Sequence, residues 1–165
     1  MKSPNAGLRF AAVAAAFLML AACSSTDDAG GGSSSSTSGQ IAPGSQEDLV
    51  ANVGDRVFFD TDKSSLSDEA RATLQRQAAW MELYPNLTFT LEGHADERGT
   101  REYNLALGGR RANAAKDYLV SLGVNGGRLN TVSYGKERPV CLESNENCWA
   151  QNRRAVTVIA SGAAS

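Results

Sequence analysis

Downstream of residue 55 the apolar positions of this chain follow two periods. Leu87, Phe89 and Leu91 occupy every second position, with Thr88, Thr90 and Glu92 between them. That alternation predicts a half-buried strand over Leu87–Gly93. Ala70, Leu74, Ala78 and Met81 recur at helical spacing instead. They predict a helix that follows Ser67, a side chain suited to an N-cap, with Asp68 and Glu69 in its first turn. Pro85 ends that helix. A second helix is expected from about Glu102 to Leu122, where Gly123 and Val124 suit a Schellman ending. Arg56–Asp60, Arg128–Gly135 and Arg153–Ala160 read as further strands, the last with Val156, Val158 and Ala160 on one face. Val140–Gln151 reads as a loop with a short helical turn near its end. Strand, helix and strand between Leu87 and Gly135 predict a parallel crossover. The expected class is α+β, a two-layer sandwich in βαβαβ-β order with helices on one face of a mixed four-stranded sheet.

The first 47 residues follow neither period. Met1–Ala22 opens with Lys2 and Arg9 and continues as an uncharged apolar run from Phe10. It is short for a membrane span and predicts a secretory signal over residues 1–22, ending Leu20-Ala21-Ala22 before Cys23. Residues 23–47 form a Ser- and Gly-rich linker with Ile41 as its large apolar side chain. Such a segment buries too little surface to offset its ordering entropy. As a coil of about 20 residues it reaches roughly 25 Å. The folded domain is expected over residues 48–165, with Ser161–Ser165 frayed.

Charge narrows the choice of function. The chain holds 16 basic and 18 acidic side chains, a formal net charge of −2. A nucleic-acid binder would show a basic stripe, and none is present, so no nucleic-acid partner is expected. Cys141 and Cys148 lie in one loop of a chain expected to be exported, where a local disulfide is favoured. His94 is the single histidine, so no metal-ligand set is assembled and no cofactor is expected.

The chemistry gathers just beyond the strand that ends at Gly93. His94, Asp96, Glu97 and Arg98 lead to Gly99, and the helix that follows carries Arg110 and Arg111. Asp62 lies in the polar loop after the first strand. A mixed-sign recess suits a zwitterion, because Arg pairs with a carboxylate bidentately and Asp accepts from an ammonium. Asp96 and Arg111 also fit a purely structural ion pair that orders the loop. His94 fits a hydrogen-bonded loop residue. Gly108 and Gly109, inside a helix, fit either close approach to a ligand or close packing on a strand.

These motifs carry a family resemblance. Gly93-His94-Ala95-Asp96-Glu97-Arg98-Gly99-Thr100, Tyr103-Asn104 and Arg110-Arg111-Ala112-Asn113 resemble the OmpA-like peptidoglycan-binding domain. Ser133-Tyr134-Gly135-Lys136 and Asn152-Arg153-Arg154-Ala155 fit the same pattern, and the D-E-R-G-T form is that of its peptidoglycan-associated lipoprotein branch. The resemblance implies that Asp96 receives the ammonium of a stem-peptide diaminopimelate and Arg111 its carboxylate. It implies further ligand contacts at Asp62 and Arg98, and lining or supporting roles for Asn104 and Arg154. Thr61 stands where the family carries an aromatic side chain. Leu20-Ala21-Ala22-Cys23 resembles a lipobox, which implies acylation of Cys23. Ser24 after it implies sorting to the outer membrane, with the domain facing the periplasm. The implied partners are peptidoglycan, the outer membrane, and the Tol system with TolB. The alternatives are a wall-binding lipoprotein outside the Tol system and a peptidoglycan hydrolase, although no Ser-His-Asp or Cys-His set is apparent.

Overall fold

The computed structural model describes residues 41–162. The signal segment, Cys23, the linker up to residue 40 and the last three residues of the expected tail lie outside them. No helix among the described residues is long and apolar enough to cross a membrane.

A short helix α1 (Gln46–Asp48) and a wide turn (Leu49–Val53) precede strand β1 (Arg56–Phe58). Helix α2 (Asp68–Leu83), strand β2 (Thr88–His94), helix α3 (Arg101–Ser121) and strand β3 (Leu129–Gly135) follow. Helix α4 (Glu146–Asn152) and strand β4 (Arg154–Ser161) complete the order. The four strands form one sheet in the order β1-β4-β2-β3. β2 and β3 run parallel, and β4 pairs antiparallel with β1 and β2. This is the mixed α+β sheet expected, with α2 and α3 packed together on one face of it.

Local chemistry accounts for the element ends. Ser67 caps α2, its hydroxyl accepting from the Ala70 amide at 3.2 Å. α3 closes on a Schellman motif: Gly123 N donates to Val120 O and Val124 N to Leu119 O, with Gly123 at φ 102°. The apolar sides of both helices meet Phe89, Leu91 and Leu129 in one core, with Leu74, Met81, Ala115 and Leu119 among its buried residues.

Four features refine the expected plan. Val156, Val158 and Ala160 do share a face of β4, but it points away from the helices. Ala155 and Thr157 are the buried positions there, and the Thr157 hydroxyl donates to Gln77 Oε1 at 2.8 Å. A buried polar pair, Thr157 with Gln77, thus occupies a core place on this strand. The domain also begins earlier than residue 48. Ser45 caps α1, and the Gln46 amide bonds Thr157 O and Ile159 N, extending the sheet edge where β1 stops. Ser161 is part of β4, paired with Thr88. The expected loop at 140–151 holds a true helical segment, α4, capped by Asn145 and tied to residue 141 by the Cys141–Cys148 disulfide.

One contact fixes the position of α3. A Cβ built on Gly93 would overlap the Gly108 carbonyl, and one on Gly108 would strike Ser133 and Gly93. Close helix–strand packing therefore explains Gly108. It sets the N-terminus of α3 directly beyond the end of β2.

Candidate functional site

The segment from Ala95 to Thr100 joins β2 to α3 and is held from three sides. Thr100 caps α3, accepting from the Tyr103 amide at 3.2 Å. Buried Asn104 donates to Arg98 O at 2.7 Å and Thr100 O at 3.1 Å. Lys136 Nζ donates to Glu97 O at 3.0 Å and Gly99 O at 2.7 Å. Gly99 sits at φ 87°, where a Cβ would be strained.

Asp96 is the centre of this segment. Its carboxylate accepts from Arg98 Nη2 at 2.6 Å, Arg98 Nε at 3.1 Å and the Arg98 amide at 3.1 Å. Arg153 Nη1 approaches it at 3.5 Å. Burial works against its charged form, yet the Arg98 hydrogen bonds outweigh burial and hold the carboxyl below the usual range. Arg98 is the exposed half of the pair, with 39% of its side chain open to solvent. The same pairing holds its guanidinium above its ordinary pKa against a smaller burial effect.

Arg111 lies deeper. It is fully enclosed, and its three nitrogens donate to Lys63 O at 2.9 Å, His94 O at 2.8 Å and Asp60 O at 3.0 Å. Burial lowers its pKa to about 10, with Asp96 opposing that fall, so it stays charged at neutral pH. Arg111 therefore stitches the Asp60–Lys63 loop to the end of β2. Asp62 lies on that loop at φ 57° and accepts from the Tyr103 hydroxyl at 3.4 Å. Between them Thr61, Asp62, Arg98, Gly99 and Tyr103 line a recess of about 230 Å³. A larger groove of about 440 Å³ opens between Phe58, Leu66 and α4 and reaches Arg153 but not Asp96 or Arg98.

The structure thus brings Asp62 and Arg98 to one recess, with Asp96 buried behind Arg98 and bonded to it, Arg111 behind its wall and Asn104 beneath its loop. It does not bring Arg154 there. Arg154 is buried on the sheet face away from the helices, bonded to Asn152 O at 3.4 Å and Arg138 O at 3.2 Å. Its neighbour Arg153 is the one beside Asp96. Two adjacent residues at the start of a strand point to opposite faces, so the Arg153-Arg154 pair always offers one guanidinium to each.

Sequence reasoning also missed Trp149. Its ring lies 4.2 Å from the Arg98 guanidinium, and its Nε1 donates to Glu97 Oε1 at 3.0 Å. Thr61 accepts a long 3.4 Å bond from Arg98 on the other side. Among the described residues no group of His, Cys, Asp and Glu is arranged to hold a metal ion.

Comparison with known proteins places the chain in a family. Residues 58–154 match the model of the OmpA family. The peptidoglycan-associated lipoprotein of Rhizobium meliloti is 63% identical over 122 residues, covering 74% of this chain and 69% of that protein. The crystal structure of the peptidoglycan-associated lipoprotein from Burkholderia pseudomallei is 46% identical. It superposes with a TM-score of 0.62 over 64% of this chain and 89% of that one. The C-terminal domain of Helicobacter pylori MotB, at 19% identity and a TM-score of 0.61, shares the fold over 66% of this chain and 85% of its own. This chain belongs to the OmpA family and, within it, to the peptidoglycan-associated lipoproteins.

Proposed function

We propose that this protein is an outer-membrane lipoprotein that holds peptidoglycan without covalent bonds, gripping the free end of a stem-peptide diaminopimelate. The observation that carries the reading is Asp96, a buried carboxylate kept ionised by flanking guanidinium groups, one of which, Arg98, lines a mixed-sign recess with Asp62. A zwitterionic amino-acid end matches that recess. Its ammonium replaces Arg98 on Asp96, and the displaced Arg98 meets the carboxylate. Direct contact of the carboxylate with Arg111 requires the Asp60–Lys63 loop to yield, because that loop now covers the side chain. Asp62 and the Tyr103 hydroxyl form the opposite rim.

Membership of the branch and the sequence of the first 47 residues support the remainder of the reading. Acylated Cys23 anchors the chain in the outer membrane, the linker spans the gap, and the domain faces the periplasm. Its protein partners are the Tol system, TolB among them, and the link serves envelope integrity and constriction at division. Relatives carry the name of a peptidoglycan-associated lipoprotein, which describes a binder and not an enzyme.

The test is co-sedimentation with insoluble peptidoglycan. Asp96→Asn keeps the shape of the side chain and removes the charge, and it is expected to abolish most sedimentation. Unchanged sedimentation of a folded Asp96→Asn protein would contradict the assignment. Recovery of TolB on immobilised wild-type protein tests the partner separately.

A further inference from the structure

We propose that Trp149 is a positioning residue for Arg98 in the peptidoglycan site, delivered there by a helix that the Cys141–Cys148 disulfide pins. The inference rests on the reading of the site given above.

Arg98 is a long, partly exposed side chain whose charged end has three contacts, the Asp96 carboxylate, the Trp149 ring at 4.2 Å and a long 3.4 Å bond to the Thr61 hydroxyl. The Asp96 hold is the one that an incoming ammonium takes away. Once it is gone, the ring, helped by the long Thr61 bond, keeps the guanidinium beside the recess instead of in solvent. The same indole reaches the preceding residue, since Nε1 donates to Glu97 Oε1 at 3.0 Å. One ring therefore fixes two consecutive side chains of the β2–α3 segment. Thr61 on the opposite wall offers a hydroxyl and no aromatic surface.

Trp149 does not hold itself in place. α4 has seven residues, too few for a helix that stands unsupported. Its ties are the disulfide through Cys148, which is 1% exposed, and the side chain of Asn152. Asn152 Oδ1 accepts from Val140 N and Cys141 N, and its amide donates to Cys141 O at 2.7 Å. Glu146 adds an ion pair to Arg153 at 2.6 Å. The disulfide and Asn152 fasten the same two segments, and Trp149 is the residue next to the buried cysteine. Reducing the bond removes one of two fasteners directly beside the ring.

The experiment uses the full-length chain in detergent and a soluble diaminopimelate-containing muropeptide, titrated by calorimetry. Trp149→Ala is expected to weaken binding about threefold to tenfold, as loss of one partly exposed cation–π contact implies. Trp149→Phe keeps a ring over Arg98 and is expected to restore most of that loss. Arg98→Ala makes the discriminating background: there Trp149→Ala changes nothing further. Dithiothreitol weakens the wild type in the same direction and needs no substitution, so it stands even where a variant folds poorly. The Arg98 Nε–H resonance, ring-shifted in the wild type and not in Trp149→Ala, reports the pose without ligand. Wild-type affinity in a folded Trp149→Ala protein overturns the inference, as do losses from Arg98→Ala and Trp149→Ala that multiply in the double variant. A wild type that shows the ring-shifted resonance but binds no muropeptide overturns the reading of the site itself, and the role in binding falls with it.

Discussion

Arg111→Ala is the substitution for which the structure predicts the largest change in stability. The wild-type guanidinium donates to three backbone carbonyls, those of Asp60, Lys63 and His94, and none of its surface is exposed. Truncation removes a donor from each of those carbonyls, although Asp60 O keeps the Lys63 amide at 3.2 Å, and opens a cavity under the Asp60–Lys63 loop. An orphaned buried polar group costs about 1–3 kcal/mol, though water entering the cavity recovers part of that. Against this stands the desolvation of the cation, visible in its pKa of about 10, which the variant no longer bears. The balance is a loss of roughly 3–5 kcal/mol, the weakened hydrogen bonds and the cavity less the relieved desolvation. For a domain of this size that is about 10–20 °C in Tm. Urea unfolding of wild type, Arg111→Ala and Arg111→Met measures it, with Met expected to be milder because it refills the volume. An Arg111→Ala protein within about 0.5 kcal/mol of wild type would refute the claim that this arginine stitches the loop. The same reasoning makes Asp96→Asn the cleaner probe of binding, since a loss of sedimentation by Arg111→Ala mixes affinity with folding.

Two further outcomes are expected. Gly93→Ala forces a methyl group into the Gly108 carbonyl, backbone against backbone, and α3 must move off the sheet; a loss of at least about 2–3 kcal/mol in urea unfolding is expected, and wild-type stability would contradict the packing described. His94 is neutral and 2% exposed, its pKa lowered to about 4 by burial and then by Arg154, Arg138 and Arg56, with Glu92 at 3.8 Å. The unfolded chain takes up that proton near pH 6.5, so stability is full above that pH, falls as pH drops to about 4, and levels off below, by about 3 kcal/mol in all. His94→Phe is expected to flatten the profile over that window, and an unchanged slope would place the titrating group elsewhere.

What the sequence made legible follows from which interactions are local. The Ser67 cap, the Pro85 stop and the Gly123-Val124 ending are each settled within a few residues, and each appears as expected. The recess around Asp96 was legible because a strand end, a glycine and a capped helix occur in direct succession. Other features depend on partners distant in the chain. Whether Arg153 or Arg154 meets Asp96 depends on which face of β4 is buried, and Thr157 with Gln77 decides that, not Val156 and Val158. A guanidinium such as that of Arg111 serves a ligand or a backbone carbonyl equally well, and only the return of the Asp60–Lys63 loop selects the carbonyls. Gly93 and Gly108 look like unrelated glycines until strand and helix are docked. α4 shows a capping Asn145 but too few residues for a period, so the place of Trp149 is set by the disulfide and Asn152.

The polar groups of the site already satisfy one another, which limits how strongly a single contact can hold. Asp96 already accepts from Arg98 and faces Arg153, so an arriving ammonium gains only the difference between two charge-assisted pairings. On the proposed reading, part of that difference would return as Arg98 turned to the carboxylate of the same ligand, with the Trp149 ring keeping it near enough to do so. Exchange of this kind would suit modest affinity with rapid release. A wall that repeats the epitope, met by a domain on the tether expected from the sequence, would convert modest contacts into a durable hold through effective concentration. Each grip could then break and reform while the envelope layers stayed joined, which a single tight and slow contact would not permit.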